Sequence, residues 1–160
     1  MAPVSAPEDL IYLVRHARAG DRESWRGDDR LRPLTKGGRR QAEALVELLQ
    51  EAPITSILSS PYQRCLETVA PVARYRGIPV ETSVELGEGP DLAAVLVVLR
   101  RVAAGSVLCS HGDVILAVLE FLAGQGALRP AEVQAEKGST WVLQRNNGQI
   151  THARYVRASV

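Results

Sequence analysis

Hydrophobic and polar residues follow one another along this chain in segments that have the patterns of strands and helices in turn. The first apolar run, Leu10 to Val14, predicts a buried strand and ends abruptly at Arg15 and His16. A helix is predicted from Thr35 to near Pro53, because apolar residues recur there at the spacing of one helical face. The residues of this face are Ala42, Leu45, Val46 and Leu49.

The next segments again predict a strand followed by a helix. Residues 54–60 predict a short strand, and Ser60 followed by Pro61 is a helix-start signal, with a cap residue and proline at the first helical position. The buried face of that second helix is predicted at Leu66, Val69, Ala70 and Ala73. Residues 78–84 then predict another strand, and a third helix begins at about Asp91.

The last third of the chain predicts a strand at residues 106–110, a helix directly after it, and two strands joined by a turn at Asn147 and Gly148. Strands that alternate with helices predict an α/β fold, a three-layer sandwich with a mostly parallel sheet and helices on both faces. The terminal hairpin makes the sheet mixed. Residues 1–9 contain prolines without periodicity and predict a flexible tail, followed by a single domain over residues 10–160.

Composition narrows the class of protein. A chain of 160 residues with 46% hydrophobic content supports one core. No apolar run approaches the roughly 20 residues that cross a bilayer, and no leader pattern precedes the first strand, so we expect a soluble, cytoplasmic protein without a membrane partner. A net charge of +1 and seven aromatic residues argue against nucleic-acid binding. Two cysteines provide neither a disulfide framework nor a metal-ligand spacing, and we expect no metal or cofactor.

Polar residues follow three of the predicted strands directly. Arg15 and His16 follow the first strand, Arg64 lies one turn into the helix after the second, and His111 follows the strand at 106–110. Ligands of such sheets bind beyond the carboxyl ends of the strands, so we expect these four side chains to converge. Guanidinium groups match phosphate oxygens, and an imidazole kept neutral by nearby positive charge can attack phosphorus. The local excess of positive charge in residues 15–40, nine basic against four acidic side chains, fits an anionic ligand.

Other phosphatase and hydrolase chemistries lack their motifs. A Cys-x5-Arg loop would need arginine at positions 71 and 115, which hold Pro71 and Ile115. Neither a Gly-x-Ser-x-Gly elbow nor a P-loop occurs. His152 has no partner motif and is interpreted as structural, while Asp113 either caps its helix or orients His111.

Four segments carry a resemblance to a known family: "LVRHARAG", "RPLTKGGRRQAEAL", "ILSSPYQRCLETVAPVA" and "VLCSHGDVI". In this order they resemble the histidine phosphatase superfamily, with its phosphoglycerate-mutase-like fold. The chain is most similar to the compact SixA-like phosphohistidine phosphatase branch, or to the similar domains fused to Nudix hydrolases. The resemblance implies that His16 is the phosphorylated nucleophile, that Arg15 and Arg64 bind the phosphoryl group, and that His111 stabilises the transferring charge.

The resemblance also bears on the general acid, which longer members place in a Leu-x-Glu segment. Residues 86–88 match that segment, so Glu88 is the first candidate and Glu85 competes with it. Many members place an asparagine six positions after the nucleophile, where this chain has Arg22. Arg22 or Arg18 is the candidate to supply the missing phosphate contact.

These observations predict a metal-independent phosphatase that hydrolyses a phosphomonoester or phosphoramidate through a phosphohistidine at His16. The expected partner is a phosphorylated small molecule or a protein that bears phosphohistidine. Two alternatives stay open: a phosphoglycerate-type mutase and a non-catalytic domain that binds phosphorylated ligands. Selectivity is expected to reside in the long loop from Arg18 to Pro33 and in residues 85–91.

Overall fold

The fold is built on one six-stranded sheet, seen in a computed structural model that describes residues 8–159. The strands are β1 (Leu10–Arg15), β2 (Ser56–Ser59), β3 (Val80–Thr82), β4 (Ser106–Ser110), β5 (Thr140–Asn146) and β6 (Gln149–Val156). Their order across the sheet is β3-β2-β4-β1-β5-β6. The first four strands run parallel, and β5 and β6 form the antiparallel hairpin, with β5 also antiparallel to β1. The predicted mixed, mostly parallel sheet is confirmed.

Four helices cover the two faces of the sheet. They are α1 (Lys36–Leu48), α2 (Gln63–Arg76), α3 (Leu92–Arg101) and α4 (Gly112–Gly124). Successive side chains of a strand point to opposite faces, so Tyr12 and Val14 of β1 pack in a core with α1 and α2. Ile11 and Leu13 pack on the opposite face with α3 and α4. Both faces of the sheet are therefore buried, as the three-layer prediction requires.

The start of α2 differs from the prediction. Ser60 and Pro61 do not begin the helix, which starts at Gln63 after Tyr62. The Ser60 hydroxyl lies 2.8 Å from Nε2 of His111 and accepts the backbone N–H of Tyr62 at 3.3 Å. A serine that closes this local turn keeps the chain out of the helix for two residues.

The buried face of α2 is also turned away from the predicted one. Of the four predicted positions only Val69 is buried; Leu66, Ala70 and Ala73 are half-buried. The residues that α2 buries are Arg64, Cys65, Thr68, Val69, Pro71 and Val72. The prediction assumed an apolar face and was wrong because α2 turns polar side chains inward. One of these, the Thr68 hydroxyl, accepts the N–H of Ala17 at 2.9 Å and so fixes the chain after β1.

Several local signals match the structure. Thr35 caps α1 by accepting the N–H of Gly38 at 3.0 Å, and both Asn147 and Gly148 have the positive φ values of a tight hairpin turn. The predicted strand at residues 78–84 is shortened to three residues at the sheet edge, because a 3₁₀ turn follows at Val84–Leu86. No helix within residues 8–159 is long and apolar enough to cross a membrane.

The predicted tail, residues 1–9, falls mostly outside the described residues, which begin at Glu8. Asp9 is bound to the domain: its carboxylate accepts hydrogen bonds from the Arg145 guanidinium, the shortest at 2.6 Å. Arg145 also donates to the carbonyls of Leu99 and Val102 at the end of α3. The start of β1 is thereby held to β5 and α3.

Two neighbouring glycines of α1 give a prediction about the segment after β1. A Cβ at Gly38 would lie 1.9 Å from the backbone oxygen of Arg18, whereas a Cβ at Gly37 would meet only the tip of the Arg18 side chain at 3.1 Å. We expect Gly38→Ala to lower the free energy of unfolding by about 1–3 kcal/mol, because backbone must move. Gly37→Ala is the matched control and should raise it by about 0.5 kcal/mol through helix propensity. Urea denaturation of both variants measures this, and equal effects of the two would contradict the close approach of α1 to Arg18.

Candidate active site

The pairing of β1 with β4 brings two histidines together at the carboxyl edge of the sheet. Arg15 lies opposite Ser110 in the parallel register, so the residues that follow each strand, His16 and His111, are neighbours. The His16 N–H donates to the Ser110 carbonyl at 3.0 Å, and the two ring centroids are 5.4 Å apart. The predicted meeting of these side chains is confirmed.

His16 is held in one tautomer. The residue is 6% exposed, and its Nδ1 lies 2.8 Å from the carbonyl oxygen of Ala17. A carbonyl only accepts hydrogen bonds, so Nδ1 carries the proton and the lone pair is on Nε2. Burial lowers the pKa of His16 to about 3. The hydrogen bond to the Ala17 carbonyl raises the pKa, whereas repulsion from His111, Arg64 and Arg15 lowers it further. The imidazole is therefore neutral at physiological pH.

His111 is fully buried at the N-terminus of α4. Its Nε2 lies 2.8 Å from the Ser60 hydroxyl and 3.5 Å from the Cys65 sulfur. Its Nδ1 forms no hydrogen bond within residues 8–159, although Oε1 of Glu88 is 3.5 Å away. An unpaired buried ring nitrogen beside a cleft is a group that can bind an oxygen of a ligand.

Arg64 is fully buried and surrounded by oxygen atoms. Its guanidinium donates to the Asp29 carbonyl at 2.9 Å, to the Asp29 carboxylate at 3.2 Å and to Oε1 of Glu88 at 2.6 Å. Its Cζ lies 4.9 Å from the centre of the Tyr62 ring. The two acidic residues compensate the charge that α2 buries.

Arg15 reaches the same site from β1. Its guanidinium donates to the Ala135 carbonyl at 2.5 Å and crosses Gly112, where a Cβ would come within 2.8 Å of Cζ. Glycine at the first position of α4 leaves the room that this side chain occupies. Burial lowers the pKa of Arg15, against the attraction of Asp113.

Glu88 lies at the centre of the ion pairs. Its Oε1 accepts from Arg64 and, at 2.7 Å, from Arg22 of the long loop. The next residue, Gly89, donates its N–H to Asp113 Oδ2 at 2.9 Å. Asp113 Oδ1 also accepts the N–H of Val114 in the first turn of α4 at 2.8 Å. Of the two roles left open for Asp113, the structure shows the contact with its own helix, together with a tether to the Glu88 segment.

Two candidate residues, Glu85 and Arg18, lie away from the cleft, as does His152, which was interpreted as structural. Glu85 accepts from the Ser83 hydroxyl at 2.7 Å and lines a separate surface groove beside α3. The Arg18 guanidinium packs against Gly37 of α1, and His152 is exposed on β6. Of the two arginines considered for the missing phosphate contact, only Arg22 lines the cleft.

Three residues of the site were not predicted from the sequence: Lys137, Arg32 and Asp29. Lys137 and Arg32 line the cleft, and Arg32 donates to Asp29 Oδ1 at 2.9 Å. Lys137 lies in the loop before β5, which pairs with β1. No local sequence pattern identifies Lys137 as a site residue. Its position follows only from the pairing of the β5–β6 hairpin with β1.

The cleft above these groups has a volume of about 460 Å³. It is lined by Arg15, His16, Ala19, Gly20, Asp21, Arg22, Arg32, Glu88, His111, Gly112, Asp113 and Lys137. Within residues 8–159 no group of three or more His, Cys, Asp or Glu side chains is arranged to hold a metal ion. The geometry is that of a small anion site with two imidazoles at its floor.

Comparison with known proteins identifies the family. The model of the histidine phosphatase superfamily (branch 1) matches residues 11–89, the part of the chain that carries His16, Arg64 and Glu88. The chain belongs to the histidine phosphatase superfamily. A relative described as an 8-oxo-(d)GTP phosphatase, from Mycolicibacterium smegmatis, is 35% identical over 161 residues that cover 96% of this chain. The chain spans half of the length of that relative.

Solved structures of histidine phosphatases share the fold. The putative phosphohistidine phosphatase SixA from Agrobacterium tumefaciens superposes with a TM-score of 0.73 at 23% identity, covering 95% of this chain and 98% of that one. A protein histidine phosphatase SixA complexed with tungstate gives a TM-score of 0.73 at 19% identity, covering 93% and 95% of the two chains. These likenesses confirm the predicted compact, SixA-like architecture.

The buried neutral histidine predicts a dependence of stability on pH. The folded-state pKa of His16 is lowered to about 3, so between that value and the unfolded value near 6.5 the unfolded chain binds more protons. Stability therefore falls as the pH drops through this window. From pH 7 to pH 5 we expect the wild type to lose about 2 kcal/mol more than His16→Asn, whose side chain has no such proton to gain. Urea denaturation of the two proteins at both pH values measures the difference, and parallel losses would contradict a depressed pKa.

Proposed function

We propose that the chain is a phosphatase that works through a covalent phosphohistidine at His16. The observation that carries this proposal is the neutral imidazole with Nδ1–H bound to the Ala17 carbonyl, which leaves a lone pair on Nε2 beside Arg15 and His111. That lone pair attacks the phosphorus, and the leaving group departs with the electrons of its bond to phosphorus. Water then attacks the phosphohistidine, the N–P bond breaks, and inorganic phosphate leaves.

Arg15, Arg64 and His111 are proposed to bind the oxygens of the transferring phosphoryl group. Nδ1 of His111 is unpaired, and the Arg64 guanidinium already binds the carboxylate oxygen of Glu88 at 2.6 Å. A phosphoryl oxygen offers that guanidinium the same kind of charge-assisted bond. The positive end of the α4 dipole lies at the same place, because α4 begins directly after His111.

Glu88 is proposed to protonate a poor leaving group. While its Oε1 binds Arg64 and Arg22, the carboxylate serves as their counter-ion. A phosphoryl group that takes over Arg64 releases the Glu88 carboxylate inside the cleft, on a segment that Asp113 holds in place. The released carboxylate takes up a proton from water and transfers it to the leaving oxygen. A leaving group that is stable as an anion does not need this proton.

The charge developed in the reaction is met by guanidinium and imidazole groups, so we propose a reaction that needs no metal ion. The two free cysteines fit a reducing cytoplasm. The 35% identical relative is described as a phosphatase of a nucleoside triphosphate, which favours a phosphorylated small molecule over a phosphohistidine-bearing protein.

Trapping the covalent intermediate tests this mechanism. After reaction with ³²P-phosphoramidate and rapid denaturation, we expect an acid-labile, alkali-stable adduct on His16. His16→Ala should lose the adduct and about 10³-fold in kcat, since the nucleophile is gone. His152→Ala, which removes an exposed histidine on β6, is the control and should behave as wild type. Label on another residue, or full turnover by His16→Ala, would rule the mechanism out.

The role of Glu88 is tested with leaving groups of different acidity. Glu88→Gln should lower kcat/KM for glycerol phosphate, which leaves as an alkoxide, by about 100-fold because proton donation is lost. Its effect on 4-nitrophenyl phosphate, which needs no proton, should be much smaller. Glu85→Gln is the matched control and should leave both rates unchanged, because Glu85 lies in a separate groove. Equal losses on both substrates would show that Glu88 is only a counter-ion.

A further inference from the structure

The backbone of Lys137 is fixed against the nucleophile's own segment. The N–H of Gly138 donates to the carbonyls of Arg15 and His16 at 3.1 and 3.0 Å, and Gln41 donates to the Lys137 carbonyl at 3.2 Å. A Cβ at Gly138 would come within 3.0 Å of the Gln41 side chain, and its φ is +83°. These contacts hold the loop before β5 in place, and Lys137 lines the cleft.

Lys137 differs from the other cations of the cleft. Arg22, Arg32 and Arg64 form ion pairs with Asp29 or Glu88, whereas Arg15 forms no ion pair and donates to the Ala135 carbonyl. Within residues 8–159 the Lys137 ammonium has neither an ion pair nor a hydrogen bond. It is exposed at the rim, while His16 is buried at the floor.

The electrostatic surroundings of Lys137 are those of an anion site. Burial lowers the pKa of its ammonium, and the nearby charges of Arg15, Arg32, Arg22 and Arg64 lower it further. A cation that is crowded by four guanidinium groups gains from any anion placed between them. The transferring phosphoryl group is one such anion, and it occupies Arg15, Arg64 and His111 in the proposed mechanism.

An exposed cation that lines the cleft suits the leaving side of the reaction. His16 attacks from the floor, and the departing group of an in-line displacement leaves on the opposite side, toward the rim. The cleft, at about 460 Å³, falls in the range of roughly 300–1,000 Å³ that holds small organic ligands, so it has room beyond the phosphoryl group. Glu88, the candidate proton donor, is held in ion pairs with two arginines, whereas Lys137 is free to meet negative charge.

We propose that Lys137 is a catalytic residue that binds an anionic leaving group, and that the substrate class is a phosphoanhydride such as an inorganic or nucleoside triphosphate. This inference rests on the phosphohistidine mechanism proposed above. Nε2 of His16 forms a bond to the terminal phosphorus, and the bond from that phosphorus to the bridging oxygen breaks. The electron pair stays on the bridging oxygen, which departs as part of a diphosphate whose new charge faces the ammonium. No proton has to be donated, so this step does not need Glu88 as an acid.

The test compares two probes that share the transferred group and differ in the leaving group: inorganic triphosphate and phenyl phosphate. Initial rates are measured in the presence of EDTA for the wild type, Lys137→Gln, Lys137→Arg and Lys36→Gln. Lys36, the other of the two lysines, lies at the start of α1 outside the cleft and is the matched control. The readout is the ratio of kcat/KM for triphosphate to kcat/KM for phenyl phosphate.

We expect the ratio to fall at least about tenfold in Lys137→Gln, because one charge contact to the leaving group is lost. It should recover most of its value in Lys137→Arg and stay unchanged in Lys36→Gln. A Lys137→Gln variant that lowers both rates equally, or neither, would overturn the assignment. If the wild type labels His16 with phenyl phosphate and does not cleave triphosphate, only this inference fails. If neither probe labels His16, the proposed mechanism itself fails.

Discussion

The parallel pairing of β1 with β4 is the constraint on which the site depends. Because Arg15 and Ser110 are in register, each strand ends at the same level and delivers a histidine to the edge of the sheet. The bond from the His16 N–H to the Ser110 carbonyl extends the ladder by one step past β1. Ser60, at the end of the neighbouring strand β2, then binds His111. The arrangement of the two histidines is thus a continuation of the sheet.

Charge compensation is the second constraint. A fully buried guanidinium such as that of Arg64 is costly without partners, and Asp29 and Glu88 provide them from two loops. Burial, helped by the same positive charge, lowers the pKa of His16 and keeps its imidazole neutral. The long loop from Arg18 to Pro33 therefore contributes to the site through Asp29 and Arg22. Some polar residues of this loop therefore form ion pairs at the cleft, and others are exposed to solvent.

Much of this was predictable from the sequence. Each polar side chain that follows a strand directly was located correctly, since strand direction and sheet topology fix its position. The face of α2 was predicted wrongly because the apolar pattern took no account of a helix that buries Arg64 and Thr68 toward a site. Lys137 was missed because its place depends on the pairing of β5 with β1, which no local pattern encodes. The partners of Glu88 also come from different parts of the chain, and they were visible only in the folded structure.

The central claim is that His16 is a neutral imidazole with its proton on Nδ1 and its lone pair on Nε2. The most direct measurement is ¹⁵N NMR of the histidine side chains across pH 5 to 8. We expect one imidazole, absent from the spectrum of a His16 variant, to show a protonated Nδ1 and an unprotonated Nε2 throughout this range. A His16 signal that titrates with a midpoint near 6.5, or that carries its proton on Nε2, would contradict the account.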